Sequence, residues 1–142
     1  MSRKRRSAED LDLYEGAYKA FEWYWDAQDS MPGLDAYELL DPLARAGVLA
    51  AFEHWGCLAP GERPLESRVN EEHTDPLILA VKTGDHRFPA FHAGRDVWVV
   101  TGYYRKRARK LDKVGKREIR RAIAAHADYE LKVEQGTYYE RT

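Results

Sequence analysis

Cysteine is almost absent from this chain: Cys57 stands alone among 142 residues. No internal disulfide can form, so a small secreted scaffold held together by bridges is excluded. No apolar run reaches the length of about 18 residues that a membrane-spanning helix needs. The basic start, Arg3 to Arg6, runs into acids rather than an apolar stretch, which does not fit a secretory leader. A cytoplasmic protein is expected. The five histidines, His54, His73, His86, His92 and His126, show no His-Glu-x-x-His spacing, and Cys57 has no partner for a zinc site. There is no Gly-rich phosphate loop, internal repeat or low-complexity tract. Neither a metal nor a cofactor is expected.

Net charge is also nearly absent, at −1, but only because two opposed regions cancel. Residues 102–121 hold ten Lys/Arg and two Asp/Glu, a balance of +8, whereas residues 7–101 hold seven against eighteen, a balance of −11. The basic segment follows an apolar run, residues 97–104, that reads as a buried strand. A rigid strand delivering a cluster of cations suits the holding of phosphates. Apolar residues make up 44% of the chain, including four Trp and nine Tyr, enough for one core and one domain.

The domain is expected over residues 17–134, between a flexible or weakly helical arm at 1–16 and a tail at 135–142. Residues 19–25 alternate, with Phe21, Trp23 and Trp25 on one side of a strand. Asp35, with Glu38 three residues on, resembles a helix cap. Asp41-Pro42 marks a second helix start, and Gly56 marks its end. Ala44, Val48, Ala51, Phe52 and Trp55 fall on one face of that helix, a stripe for packing on a sheet. Residues 58–75, with Pro60, Gly61 and Pro64, read as a long surface loop. An antiparallel meander follows: strands at 77–82, 87–92 and 97–104, joined by turns at 83–85 and 93–96. Pro89 points to an irregular or edge position for the middle strand. A closing helix is predicted over 113–133, with Ile119, Ala122, Ile123 and His126 on its apolar face. The predicted class is α+β, with a twisted, mostly antiparallel sheet of about four strands and a C-terminal helix.

The order of these elements, with a set of local motifs, resembles the RelE/ParE superfamily of type II toxins, nearest its HigB-like, phage-associated branch. The motifs are the aromatic first strand, residues 39–46 (Leu-Leu-Asp-Pro-Leu-Ala-Arg-Ala), Lys82 at a strand end, and Arg87-Phe88 opening the next strand. Gly102-Tyr103-Tyr104-Arg105-Lys106 and Glu118-Ile119 with Ala122 complete the set. The resemblance covers about residues 18–130. The chain departs from the pattern in lacking Thr-Pro after the basic pair, in its longer loop to Glu118, and in having Ala80 where Glu is usual.

The resemblance implies a ribosome-dependent endoribonuclease that cuts mRNA in the A site and is neutralised by a small helix-turn-helix antitoxin. Its alternatives are a gyrase-inhibiting ParE-like toxin and a non-catalytic nucleic-acid-binding phage accessory protein. Cleavage requires a 2′-oxygen to lose a proton and attack phosphorus. It also requires cations for the charged phosphate and a proton for the leaving oxygen. By resemblance, Arg87, Lys82, Arg105 and Lys106 supply the cations. His86 and Tyr129 are candidates for proton transfer, and His92 and Tyr104 are considered beside them. For each histidine and tyrosine the competing reading is structural: a packed ring. For Arg87 it is an ion pair with Asp85. Arg107, Arg109, Lys110, Lys116, Arg117, Arg120 and Arg121 are assigned to general RNA contact, against the plain alternative of a solvated basic face.

Overall fold

The computed structural model describes residues 4–141. Seven strands, three α-helices and a short 3-10 turn form one mixed α+β arrangement. In chain order these are β1 (Asp12–Glu15), β2 (Ala20–Trp23), α1 (Pro32–Leu39), α2 (Pro42–Gly56), β3 (Val69–His73) and β4 (Ile78–Thr83). They continue as β5 (His86–Gly94), β6 (Val97–Val100), β7 (Tyr104–Arg105) and α3 (Lys113–Gln135). The sheet order is β1-β2-β6-β5-β4-β3, with β7 also paired to β5. Only β2 and β6 run parallel; every other pairing is antiparallel.

Helices cover both sheet faces. On one, Phe21 meets Phe52 and Trp55 of α2, at ring separations of 5.0 and 5.1 Å, and Trp55 meets Trp98 of β6 at 4.6 Å. On the other, Phe91 packs on His126 and Tyr129 of α3. Burying one such large ring is worth about 1.5–3 kcal/mol. The helix ends follow the local chemistry. Asp41 caps α2 by accepting from the Ala44 amide at 2.8 Å, and Asp112 caps α3 by accepting from Gly115 at 2.9 Å. Gly136 ends α3 in the left-handed region, φ 71°.

Several expectations are corrected. The sheet has seven strands rather than about four. The arm contains β1, and residues 58–75 contain β3; both are polar edge strands without an alternating apolar pattern, so periodicity hides them. The arm is also anchored, because the Arg6 side chain is only 2% exposed and its Nη2 donates to Asp35 at 2.6 Å and Glu38 at 2.5 Å. Those two acids were read as a helix cap. Instead α1 begins at Pro32, behind Met31. The first three residues, Arg3 among them, lie outside the described residues.

The run 97–104 is one strand in the sequence reading but two in the molecule, with Thr101–Tyr103 between β6 and β7. That break accounts for Pro89, which lies in a central strand rather than at an edge. Along β5, residues Ala90 to Gly94 pair with β6, while His86 and Arg87 pair with β7. Pro89 falls between them, its carbonyl accepting from the Thr101 amide at 2.9 Å. A missing N–H is tolerated where the neighbouring strand changes. Among the described residues no helix is long and apolar enough to cross a membrane.

Candidate functional site

The β4–β5 hairpin closes with Thr83 opposite His86, leaving a two-residue loop of Gly84 and Asp85. Gly84 takes φ 57°, a conformation glycine adopts without strain. One step back, Lys82 lies opposite Arg87, and Arg87 lies opposite Tyr104 of β7. Residues directly opposite in antiparallel strands share a face. Lys82, Arg87 and Tyr104 therefore form a row across three strands, while Thr83, His86 and Arg105 form the next row on the opposite face.

The first row is short of partners. Arg87 Nη1 donates to the carbonyls of Gly84 at 2.7 Å and His86 at 2.9 Å, which fixes the side chain without neutralising it. Among the described residues no carboxylate lies within 4.0 Å of the charged nitrogens of Lys82, Arg87 or Lys106. The Lys82 ammonium is pulled below its ordinary pKa by burial, then by Arg87 and Lys106, with Glu72 and Glu66 opposing. Tyr104 is 2% exposed and its hydroxyl is buried without a hydrogen-bond partner. Burial raises its pKa, and the Glu72 carboxylate, a loose acceptor for the hydroxyl, raises it further. The first turn of α3 closes over the ring: a Cβ on Gly115 would stand 3.2 Å from Tyr104 Cε2.

The second row is internally satisfied. Arg105 binds Asp85 at 2.7 Å, and this pair holds the Asp85 carboxyl below the usual range. His86 Nδ1 shares a hydrogen bond of 2.6 Å with the Tyr103 hydroxyl, and its Nε2 is 3.9 Å from Asp85. The acid considered as a partner for Arg87 is thus taken by Arg105. Strand alternation separates Arg105 from Arg87, so the basic pair Arg105-Lys106 does not act as one unit.

Tyr129 stands apart from both rows. It packs on Phe91, four residues and about 13 Å along β5 from Arg87. Its hydroxyl bonds that of Tyr139 at 2.6 Å, and Tyr139 donates to Glu22 at 2.8 Å. Tyr129 is thus buried and hydrogen-bonded away from the cation row. His92 lies at the far end of β5 against Trp98, with 5.0 Å between ring centroids, away from the cation row. Of the general RNA-contact set, Arg107, Arg109, Lys110, Lys116 and Arg120 are exposed. Arg117 and Arg121 are also exposed but share Glu118, at 3.5 and 2.9 Å.

Sequence reasoning left Tyr104 undecided and missed Glu72. The only signal for Tyr104 was its alternation with Arg105 next to the Gly102 break. For Glu72 there was none, because its strand reads as loop. A separate cavity of about 290 Å³ lies between the ends of β2 and β6 and α3, lined in part by Tyr24, Asp26, Glu118, Arg121 and Asp128. Its polar groups are engaged internally: Tyr24 with Asp128, Arg121 with Glu118, and Asp26 with Ser30. The half-buried Lys82 and Arg87 lie outside this cavity. No family model matches the chain, and no curated protein matches it.

Proposed function

We propose that this protein is the toxin of a type II toxin–antitoxin pair, a ribosome-dependent mRNA endonuclease of the HigB-like RelE/ParE kind. The observation that carries the reading is the facing pair Lys82 and Arg87, without a carboxylate within 4.0 Å, in one row with the buried Tyr104. Arg6 and Arg105, by contrast, are paired with acids. Charges left unmatched on a rigid hairpin are suited to a phosphate that arrives from outside. In this reading Arg87 holds the non-bridging oxygens of the scissile phosphate, and Lys106 adds charge. Lys82, with its lowered pKa, is the group best able to move a proton. The exposed Arg107, Arg109 and Lys110 extend the positive field towards ribosomal RNA. A small antitoxin with an acidic segment is the expected partner.

Expression of the wild-type chain should arrest growth and produce cuts in mRNA only when ribosomes are present. The Arg87→Ala variant, folded by circular dichroism, should do neither. Undiminished cleavage by that variant removes the assignment. A second reading, a non-catalytic nucleic-acid-binding protein with the same fold, draws support from the withdrawal of Tyr129 and from the engagement of His86 with Tyr103. It predicts ribosome or RNA binding with no cleavage by the wild type.

A further inference from the structure

We propose that Asp85 and Arg105 form a latch that aims Arg87: both are positioning residues, and neither touches the anion. The inference rests on the reading of Arg87 as a phosphate ligand, not on cleavage. Asp85 is the second residue of the two-residue β4–β5 loop. Arg105 of β7 and Lys106 just beyond it both hold Asp85. Arg105 Nη2 donates to Asp85 Oδ2 at 2.7 Å, and the Lys106 amide donates to the Asp85 carbonyl at 2.7 Å. The carbonyls on either side of Asp85, those of Gly84 and His86, accept from Arg87 Nη1 at 2.7 and 2.9 Å. The loop that Arg105 grips is therefore the loop that grips Arg87. With Nη1 committed, the Nε–Nη2 edge of Arg87 has no acceptor among the described residues. That edge offers two parallel N–H donors, the fork that fits two oxygens of one phosphate. Fixing its direction before the anion arrives lowers the cost of ordering a long side chain on binding. Arg105 itself is on the other face of the sheet, since it pairs with His86 whereas Arg87 pairs with Tyr104. On that face the second carboxylate oxygen of Asp85 stands 3.9 Å from His86 Nε2, and Asp85 forms no ion pair with Arg87.

The test uses the full chain and two probes: inorganic phosphate and a single-stranded RNA hexamer with 2′-O-methyl groups, which cannot be cleaved through the 2′-oxygen. Asp85→Asn decides by the sign of its effect. By charge alone, loss of an acid near the site tightens anion binding; loss of the latch weakens it. Asp85→Asn and Arg105→Ala should each bind the hexamer about threefold more weakly than the wild type, the scale of an exposed ion pair. The double variant should be no weaker than either single one, and in an Arg87→Ala background neither change should weaken binding further. The exchanged pair, Asp85→Arg with Arg105→Asp, should recover the wild-type affinity. The gain in melting temperature from phosphate over chloride, at matched ionic strength, should follow the same order. In nitrogen-edited spectra, the guanidinium signal that Arg87→Ala lacks should show hindered rotation in the wild type and free rotation in Asp85→Asn. Equal or tighter hexamer binding by Asp85→Asn overturns the proposal, and if that variant does not fold, undiminished binding by Arg105→Ala does so. A wild type that binds neither probe overturns it together with the phosphate site. Should the affinities fall as stated while the wild type cuts no mRNA on ribosomes, the endonuclease reading fails and the latch stands.

Discussion

The two ends of α3 hold the same ingredients and use them in opposite ways. Near its C-terminal end, tyrosines and charges are fully bonded to one another. Tyr129 meets Tyr139, Tyr139 meets Glu22, Tyr24 meets Asp128, and the Tyr138 hydroxyl accepts from the Trp25 amide at 2.8 Å. Arg141 lies 3.9 Å over the Trp25 ring and donates to the carbonyls of Trp25, Asp26 and Tyr138. Near the N-terminal end, Tyr104 is equally buried, but its hydroxyl is alone and its neighbouring cations are unmatched. Residue type therefore does not mark a site here. What differs is the pairing of charges, since each end keeps one buried group with no hydrogen-bond partner within 3.5 Å, Trp25 Nε1 and the Tyr104 hydroxyl, whereas Lys82 and Arg87 have no carboxylate within 4.0 Å. The bonded end is a clasp joining the tail to β2 and the loop behind it; the other end carries the facing cations Lys82 and Arg87.

The sharpest way to break this contrast is to alter one residue at each end. Arg87→Ala should lower cleavage by about 100-fold or more, the cost typical of losing a preorganised charge contact, with the melting temperature nearly unchanged. Tyr129→Phe should leave cleavage intact. A Tyr129→Phe enzyme as inactive as Arg87→Ala would dissolve the distinction between the ends.

Stability should show the reverse ranking. Arg6→Ala strands Asp35 and Glu38 and should cost about 2 kcal/mol in chemical denaturation, less than a fully buried pair because Glu38 is half-exposed. Tyr138→Phe removes the acceptor for a buried amide and should cost about 1–2 kcal/mol. Neither change should alter RNA affinity. Denaturation midpoints that match the wild type in both variants would show that the clasp and the arm are not fastenings.

These contrasts also explain what the sequence could and could not reveal. The meander, the α2 stripe and the closing helix were legible because apolar periodicity and a cap such as Asp41 are local signals. Lys82 and Arg87 were legible as candidates only through the family resemblance; the two-residue turn that sets them opposite one another belongs to the fold. Arg6, β1 and β3 were not, since their roles come from contacts made across the fold: Arg6 lies 29 residues from Asp35. Tyr104 and Tyr129 look alike in the sequence. Their difference is that Tyr129 has Tyr139 2.6 Å away and Tyr104 has no partner within 3.5 Å, which no spacing rule encodes.

The basic loop tests how far the cation-bearing end extends. Replacing Arg107, Arg109 and Lys110 with Gln should flatten the logarithmic salt dependence of RNA binding by about 2, if each contacts one phosphate of a single strand. Folding and the chemical step should be unaffected, because these side chains are exposed and lie beyond β7. An unchanged slope would confine the phosphate site to the row itself.

The smallest expected effect is a pH dependence carried by Lys82. Its folded pKa lies below the usual lysine value because burial and the neighbours Arg87 and Lys106 disfavour the ammonium. Between the lowered folded value and the ordinary unfolded one, the unfolded chain binds more protons than the folded one, so stability rises with pH across that window. Phosphate affinity moves the other way, since the ammonium that attracts the anion is lost as pH climbs through the folded value. Hexamer binding should therefore weaken on the alkaline side before an ordinary lysine would titrate, near pH 10.4. Lys82→Arg should hold affinity across the same range, because a guanidinium remains charged there. Lys82→Gln should lower affinity on the acid side of the folded pKa, where the wild type keeps its ammonium, and abolish the alkaline inflection. An inflection that persists in Lys82→Gln would assign it to another group and leave Lys82 as a fixed charge rather than a proton-moving one.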